Sequence, residues 1–115
     1  TWESVMFASQ HKLANLVAMV DYNKIQAMGP TEGIINLDPL IDKWKAFGWN
    51  AVEVGGHDFE PIFGALESLS SEKPNVIIMR TVKGKGISFM ENTTLWHYRP
   101  PDDEEYKLAL KELSK

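Results

Sequence analysis

Three short apolar runs, each leading into a polar or glycine-bearing turn, constrain this chain more than any other feature. Leu16-Val17-Ala18-Met19-Val20 passes into Asp21-Tyr22-Asn23-Lys24, residues 49–54 pass into Gly55-Gly56, and Val76-Ile77-Ile78-Met79 passes into Arg80-Thr81. Runs of this length are too short for ordinary helices. The two continuous runs suit strands buried on both faces of a parallel sheet, and residues 49–54, which alternate Trp49, Ala51-Val52 and Val54 with Asn50 and Glu53, suit a second strand.

The stretches between them have helical spacing. Trp2, Val5, Met6 and Leu13 predict a helix over residues 2–12, with His11 and Lys12 in its last turn, where cationic groups complement the dipole. Asp38-Pro39 reads as an N-cap with proline at the first helical position, Leu40, Ile41, Trp44 and Phe47 as the apolar face, and Gly48 as the stop. Asp58 predicts a cap for a helix that buries Phe59, Ile62, Phe63, Leu66 and Leu69, with Pro61 tolerable only in its first turn. A last helix over 102–113 is predicted to turn Tyr106, Ala109, Leu110 and Leu113 inward, its acidic start Asp102-Asp103-Glu104-Glu105 stabilised by the dipole. Residues 25–36 carry Gly29-Pro30 and Gly33 without a sustained period and read as a loop. Helix and strand in alternation predict an α/β fold: a parallel sheet flanked by helices, with right-handed crossovers.

Composition narrows the function classes. With 115 residues the chain accommodates one domain. It has no cysteine, which excludes disulfides, cysteine-ligated metals and a thiol nucleophile. Its 12 basic against 16 acidic residues, a net charge of -4 with no basic block, argue against nucleic acid or anionic membrane as partners. The longest apolar run is far below the roughly 18 residues of a membrane span. A soluble, cytoplasmic protein is expected. The first residues, Thr1-Trp2-Glu3-Ser4, show neither an initiator Met nor a secretory signal, as though the chain started within a longer one.

In open parallel sheets ligands bind beyond the carboxyl ends of the strands, where residues 21–25, 55–58 and 81–86 are expected to converge. Each candidate there has an ordinary structural reading. Asn23 is a common turn residue. Lys83-Gly84-Lys85-Gly86 can lend amides and charge to a diphosphate, but glycine-rich loops after strands are frequent. His97, beside Trp96, fits a packed or surface histidine equally well.

Taken together and in order, these segments resemble the transketolases, specifically their thiamine-diphosphate-binding N-terminal domain or N-terminal subunit. The resemblance runs along nearly the whole chain. Leu16 through Gln26 looks like the strand and metal loop of that family. Asp38-Pro39-Leu40 with Ala46-Phe47-Gly48-Trp49, then Gly56-His57-Asp58, look like the segments that follow. The run Thr81-Val82-Lys83-Gly84-Lys85-Gly86-Ile87-Ser88-Phe89-Met90-Glu91-Asn92 with Trp96-His97 looks like the loop that reaches the cofactor.

The resemblance implies a thiamine diphosphate bridged to the protein by Mg²⁺ or Ca²⁺, hard cations that take oxygen ligands. It assigns two of those ligands to the Asn23 side chain and the Ile25 carbonyl. Lys83 maps to a lysine near the cofactor, and His97 to a histidine by the diphosphate and substrate channel, both suited to donate to anionic oxygen. Tyr98 stands where the family usually has glycine. The implied reaction moves a two-carbon ketol unit between sugar phosphates of the pentose phosphate type.

An absence shapes the expectation further. The family's third metal ligand is the Asp of an upstream Gly-Asp-Gly turn, and no such turn occurs in the chain. The glutamate-bearing pyrimidine-binding domain is also missing. The chain is therefore expected to be a single, partial cofactor-binding domain over residues 1–115, inactive alone. Its expected partner is a pyrimidine-binding domain or C-terminal subunit, in a homo- or hetero-oligomer such as a dimer. Two other readings stay open: a non-catalytic interaction module that pairs with a complete subunit, and a phosphate-binding α/β domain without thiamine.

Overall fold

The computed structural model describes residues 1–114; the C-terminal Lys115 lies outside them. Two compact units account for the chain. The first comprises residues 1–22 and 37–81, the second residues 23–36 and 82–115.

The first unit is built on three parallel strands, β1 (Val17–Tyr22), β4 (Asn50–Gly55) and β5 (Asn75–Arg80), in the order β1-β5-β4. Val17, Asn50 and Asn75 lie in register across the sheet, so all three strands present their carboxyl ends at one edge. The most apolar run takes the centre. Val76, Ile77 and Ile78 are at most 1% exposed, as expected for a strand paired on both sides and covered on both faces. The three apolar runs were the legible part, and each lies within or overlaps one of these strands.

Alternation along β5 sends Val76 and Ile78 to one face and Ile77 to the other. On the first face α1 (Trp2–Gln10) and α3 (Leu40–Ala46) supply Val5, Ala8, Leu40 and Trp44. Trp44 meets Trp49 edge-on with centroids 4.8 Å apart, and Trp2 stacks on Phe47 at 5.6 Å. The Trp49 indole donates to the Val5 carbonyl at 2.9 Å, so this buried ring keeps its polar atom satisfied. Gly48 ends α3 with φ +85°, and a Cβ there would meet Ser9 Oγ at 2.7 Å, so both backbone and space demand glycine. Helix α4 (Phe59–Glu67) packs on β4 and β5 through buried Ala65.

Several helix details differ from the sequence reading. Helix α1 stops at Gln10, leaving His11 and Lys12 beyond it, with Lys12 in the left-handed region at φ +50°. Asp38 does not cap α3. Its carboxylate instead accepts from Tyr22 Oη at 2.8 Å, and α3 begins at Leu40 after a cis Asp38-Pro39 bond. Asp58 occupies the N-cap position of α4 without a side-chain capping bond. Phe59, Phe63 and Leu66 face outward, because the narrow three-stranded sheet gives α4 too little surface to cover both sides of its apolar arc.

In the second unit, residues 25–36 are not a plain loop. β2 (Ile25–Gln26) and β3 (Gly29–Pro30) form a small antiparallel hairpin, followed by the single turn α2 (Thr31–Ile34). A 3-10 turn at Leu95–His97 precedes α5 (Asp103–Leu113). The acidic start of α5 is a full capping box: Asp102 accepts from the Glu104 and Glu105 amides, and Glu105 accepts from the Asp102 amide. Only Ala109 is buried on this helix; Tyr106, Leu110 and Leu113 are exposed, contrary to expectation. The segment that α5 meets in its own unit is irregular and covers one narrow stripe.

Candidate functional site

The three strand ends of the first unit do come together. Thr81 Oγ1 donates to the Asp21 carboxylate, and the Gly56 amide donates to the Arg80 carbonyl at 2.9 Å. Arg80 also forms a two-bonded ion pair with Glu53, at 2.8 and 3.1 Å, and lies over the Tyr22 ring. The hydrogen bond that Arg80 donates to Glu53 holds the Arg80 pKa above its ordinary value. This edge is a closed network of partners. A groove of about 630 Å³, lined by Ser9, Lys12, Gly48, Glu72 and Lys73, lies at the opposite, amino-terminal end of the strands.

All four residues singled out by sequence belong to the second unit. Asn23 and Ile25 are half-buried at the entrance of the hairpin. Asn23 Oδ1 accepts from the Ile25 amide at 2.9 Å, a side chain folded over its own turn. The Thr31 amide donates to the Lys24 carbonyl at 2.8 Å, which makes Ile25 and Pro30 a non-hydrogen-bonded pair in the antiparallel ladder. In such a pair the N–H and C=O of one residue both face away from the partner strand. The Ile25 carbonyl therefore shares an edge with the amide oxygen of Asn23.

Lys24, between them, is held at φ +64°, a conformation costly for a residue with a Cβ. It gives the turn its shape, and nothing in the sequence marked it, since lysine has no left-handed preference. Lys24→Val is expected to destabilise the chain by about 1–2 kcal/mol, because a β-branched residue tolerates this region worst, whereas Lys24→Gly is expected to be neutral or better. Urea unfolding of the two variants checks this. Gln26, two residues on, carries a buried Nε2 with no acceptor among the described residues, a donor that sequence reasoning also passed over.

Lys83 is half-buried, and its carbonyl accepts from the Asn92 amide at 3.0 Å, closing the glycine-rich segment on itself. Gly84 makes this possible with φ +75°; a Cβ there would meet the Met90 carbonyl oxygen at 2.6 Å. The Gly86 amide donates to Glu91 at 3.1 Å, and Ser88 gives its amide and hydroxyl to Glu112 at 2.5 and 2.7 Å. Of the amides that the sequence reading offered to a diphosphate, that of Gly86 goes to the Glu91 carboxylate and that of Lys85 to the Val82 carbonyl at 3.2 Å. His97 is exposed, edge-on to Tyr98 with centroids 5.2 Å apart. Tyr98 Oη donates to the Ala27 carbonyl at the hairpin tip. The tyrosine at the usual glycine position therefore ties the Trp96-His97 segment to the hairpin that carries Ile25. Nearby, Arg99 stacks over Trp96 at 4.4 Å and pairs with Glu105, whose pKa is lowered chiefly by that bond.

The donor set can be tested against a metal and its cofactor. Asn23 and Ile25 offer neutral oxygens, the type a hard divalent cation prefers. No cluster of three or more His, Asp or Glu able to hold a metal exists among the described residues. The arrangement fits a cation whose charge is neutralised largely by an anionic cofactor.

A parallel α/β sheet followed by an oxygen-bearing turn and a glycine-rich, histidine-containing segment defines the class. The family model "Transketolase, thiamine diphosphate binding domain" matches residues 1–114, and this chain belongs to the transketolase family. It is 40% identical over 115 residues to one subunit of the apulose-4-phosphate transketolase of Phocaeicola vulgatus, the match covering 98% of this chain and 41% of that protein. It is 42% identical over 116 residues to the 6-deoxy-6-sulfo-D-fructose transketolase subunit SqwG of a Clostridium species, covering 99% and 42%. Among solved structures, transketolase from Campylobacter jejuni superposes with a TM-score of 0.89 at 31% identity, over 98% of this chain and 18% of that one. The chain thus spans about two fifths of its subunit-type relatives. Among the described residues, no helix is long and apolar enough to cross a membrane.

Proposed function

We propose that this chain forms one part of a transketolase diphosphate-binding domain, in which Asn23 Oδ1 and the Ile25 carbonyl ligate Mg²⁺ or Ca²⁺ and Lys83 and His97 serve the anionic end of thiamine diphosphate. One observation supports the reading: Asn23 Oδ1 accepts from the Ile25 amide across a turn strained at Lys24, at the entrance of the hairpin, and the ladder pairing turns the Ile25 carbonyl to that outer edge as well. Neutral donors at that spacing suit a cation already facing a diphosphate. Lys83 brings a charge beside the glycine-rich turn, and exposed His97 is held next to the hairpin through Tyr98. When bound, the cofactor supplies the nucleophilic carbon that carries a two-carbon ketol unit between sugar phosphates. The chain's own share is to hold, orient and neutralise.

Relatives named as transketolase subunits support a partner subunit. That partner is read as a pyrimidine-binding subunit or domain, with the assembly in the cytoplasm. Calorimetry with thiamine diphosphate, with and without Mg²⁺, tests the proposal on the chain assembled with that subunit. Metal-dependent binding is expected, and binding indifferent to the metal contradicts it. The chain by itself is expected to show no ketol transfer from xylulose 5-phosphate to ribose 5-phosphate; turnover in a preparation free of host transketolase contradicts that part.

A further inference from the structure

The segment that presents His97 is held from three directions. Trp96 Nε1 donates to the Phe89 carbonyl at 3.0 Å, and the two rings meet edge-on with centroids 5.4 Å apart, which pins the 3-10 turn to the glycine-rich segment. Arg99 lies over the Trp96 ring and pairs with Glu105, which pins it to α5. The third anchor is Tyr98, whose hydroxyl donates to the Ala27 carbonyl. Ala27 stands in the two-residue loop between β2 and β3, two positions beyond Ile25. The first two anchors fix the turn against its own neighbours, whereas the third fixes it against the hairpin.

The third anchor also reaches the imidazole. Tyr98 and His97 rings meet at 84° with centroids 5.2 Å apart, a geometry the ring quadrupole favours. The His97 side chain makes no hydrogen bond among the described residues, so this edge contact is what bears on its orientation. Tyr98 thus carries two functions on one side chain, a hydroxyl set by the hairpin tip and a ring set against the histidine. It is itself 65% exposed, so burial of the ring does not account for its placement.

We propose that Tyr98 is a positioning residue for His97: it takes its bearing from the hairpin and holds the imidazole at a fixed place relative to the oxygens of Asn23 and Ile25. The inference rests on the reading that those two residues meet a metal and His97 the anionic end of the cofactor. Preset geometry favours binding because less freedom is lost when the ligand arrives.

Titration calorimetry of thiamine diphosphate with Mg²⁺, on the chain assembled with its pyrimidine-binding subunit, compares wild type, Tyr98→Phe, His97→Ala and the double variant. Tyr98→Phe keeps the ring and removes only the hydroxyl, and it is expected to weaken binding about 3- to 10-fold, the reach of one hydrogen bond. Added to His97→Ala, the same change is expected to weaken binding less than about twofold further, because a residue acting through another has nothing left to position. Melting temperatures without cofactor are expected to match wild type. A Tyr98→Phe loss that adds in full to that of His97→Ala, or that comes with a lowered melting temperature, marks a tie serving structure alone and overturns the proposal. Wild-type affinity in Tyr98→Phe, with His97→Ala weakened, overturns it while leaving the site reading intact. Metal-independent binding in wild type, or unchanged affinity in His97→Ala, overturns the site reading and the positioning role together.

Discussion

Asn75→Ala is expected to cost about 2–4 kcal/mol, a large share of the roughly 5–15 kcal/mol that holds a domain of this size. Asn75 opens β5 and is 1% exposed, the one buried polar residue of the core among the described residues. Its Oδ1 accepts from the Ser70 amide at 2.7 Å and from Asn50 Nδ2 at 2.9 Å. Its Nδ2 is shared among the carbonyls of Ser70, Lys73 and Ala14, at 3.0, 3.0 and 3.2 Å. One side chain thus clamps the entries of all three strands. Alanine removes the clamp and leaves several of those groups without partners, whereas neighbouring Asn50→Ala removes one bond of the clamp and a longer one to the Ser68 carbonyl, and should cost less. Asn75→Asp keeps an acceptor but loses the donors and buries a charge, so it should be no milder than alanine. Urea midpoints with unchanged slopes measure the loss. An Asn75→Ala protein within about 0.5 kcal/mol of wild type contradicts the assignment.

Asn23→Ala is expected to lower metal-dependent affinity for thiamine diphosphate about 100-fold or more in the assembled enzyme, at least what losing a ligand's outer support costs. The same change removes the bond to the Ile25 amide, so the hairpin entrance loosens as well. Asn23→Asp separates the two effects. It retains an acceptor for Ile25 and adds a charge that a divalent cation welcomes, so it is expected to keep the turn and bind metal at least as well. Calorimetry at several Mg²⁺ concentrations, with melting temperatures measured alongside, distinguishes loss of a ligand from loss of local structure. Equal affinity in wild type and Asn23→Ala contradicts the metal role.

Much of the scaffold was readable because its signals are local. The runs around Val17 and Ile77 can satisfy neither helical amphipathy nor solvent, the segment around Val52 alternates as a strand does, and a parallel sheet accommodates all three. Gly48 and Gly84 were legible as breaks because only glycine adopts their positive φ cheaply. Partners distant in sequence were not legible. Asp38 has every mark of a cap until Tyr22, sixteen residues away, takes its carboxylate. Nothing beside Asn75 in the sequence announces that five groups from three segments close around it. The apolar arcs of α4 and α5 misled for a related reason: periodicity reports which face is apolar, and the width of the neighbouring surface decides how much of it is covered.

The sequence by itself determined the parallel α/β class, the transketolase likeness and the identity of the residues proposed to meet metal and cofactor, because apolar period and short motifs are written in neighbouring residues. Tertiary structure alone decided that Asn23 Oδ1 folds back to accept from the Ile25 amide, that Tyr98 ties the histidine segment to that hairpin, and that α4 leaves its phenyl rings outside. Each of these depends on backbone direction or on a partner far along the chain, and neither is encoded within a span short enough to be read by spacing.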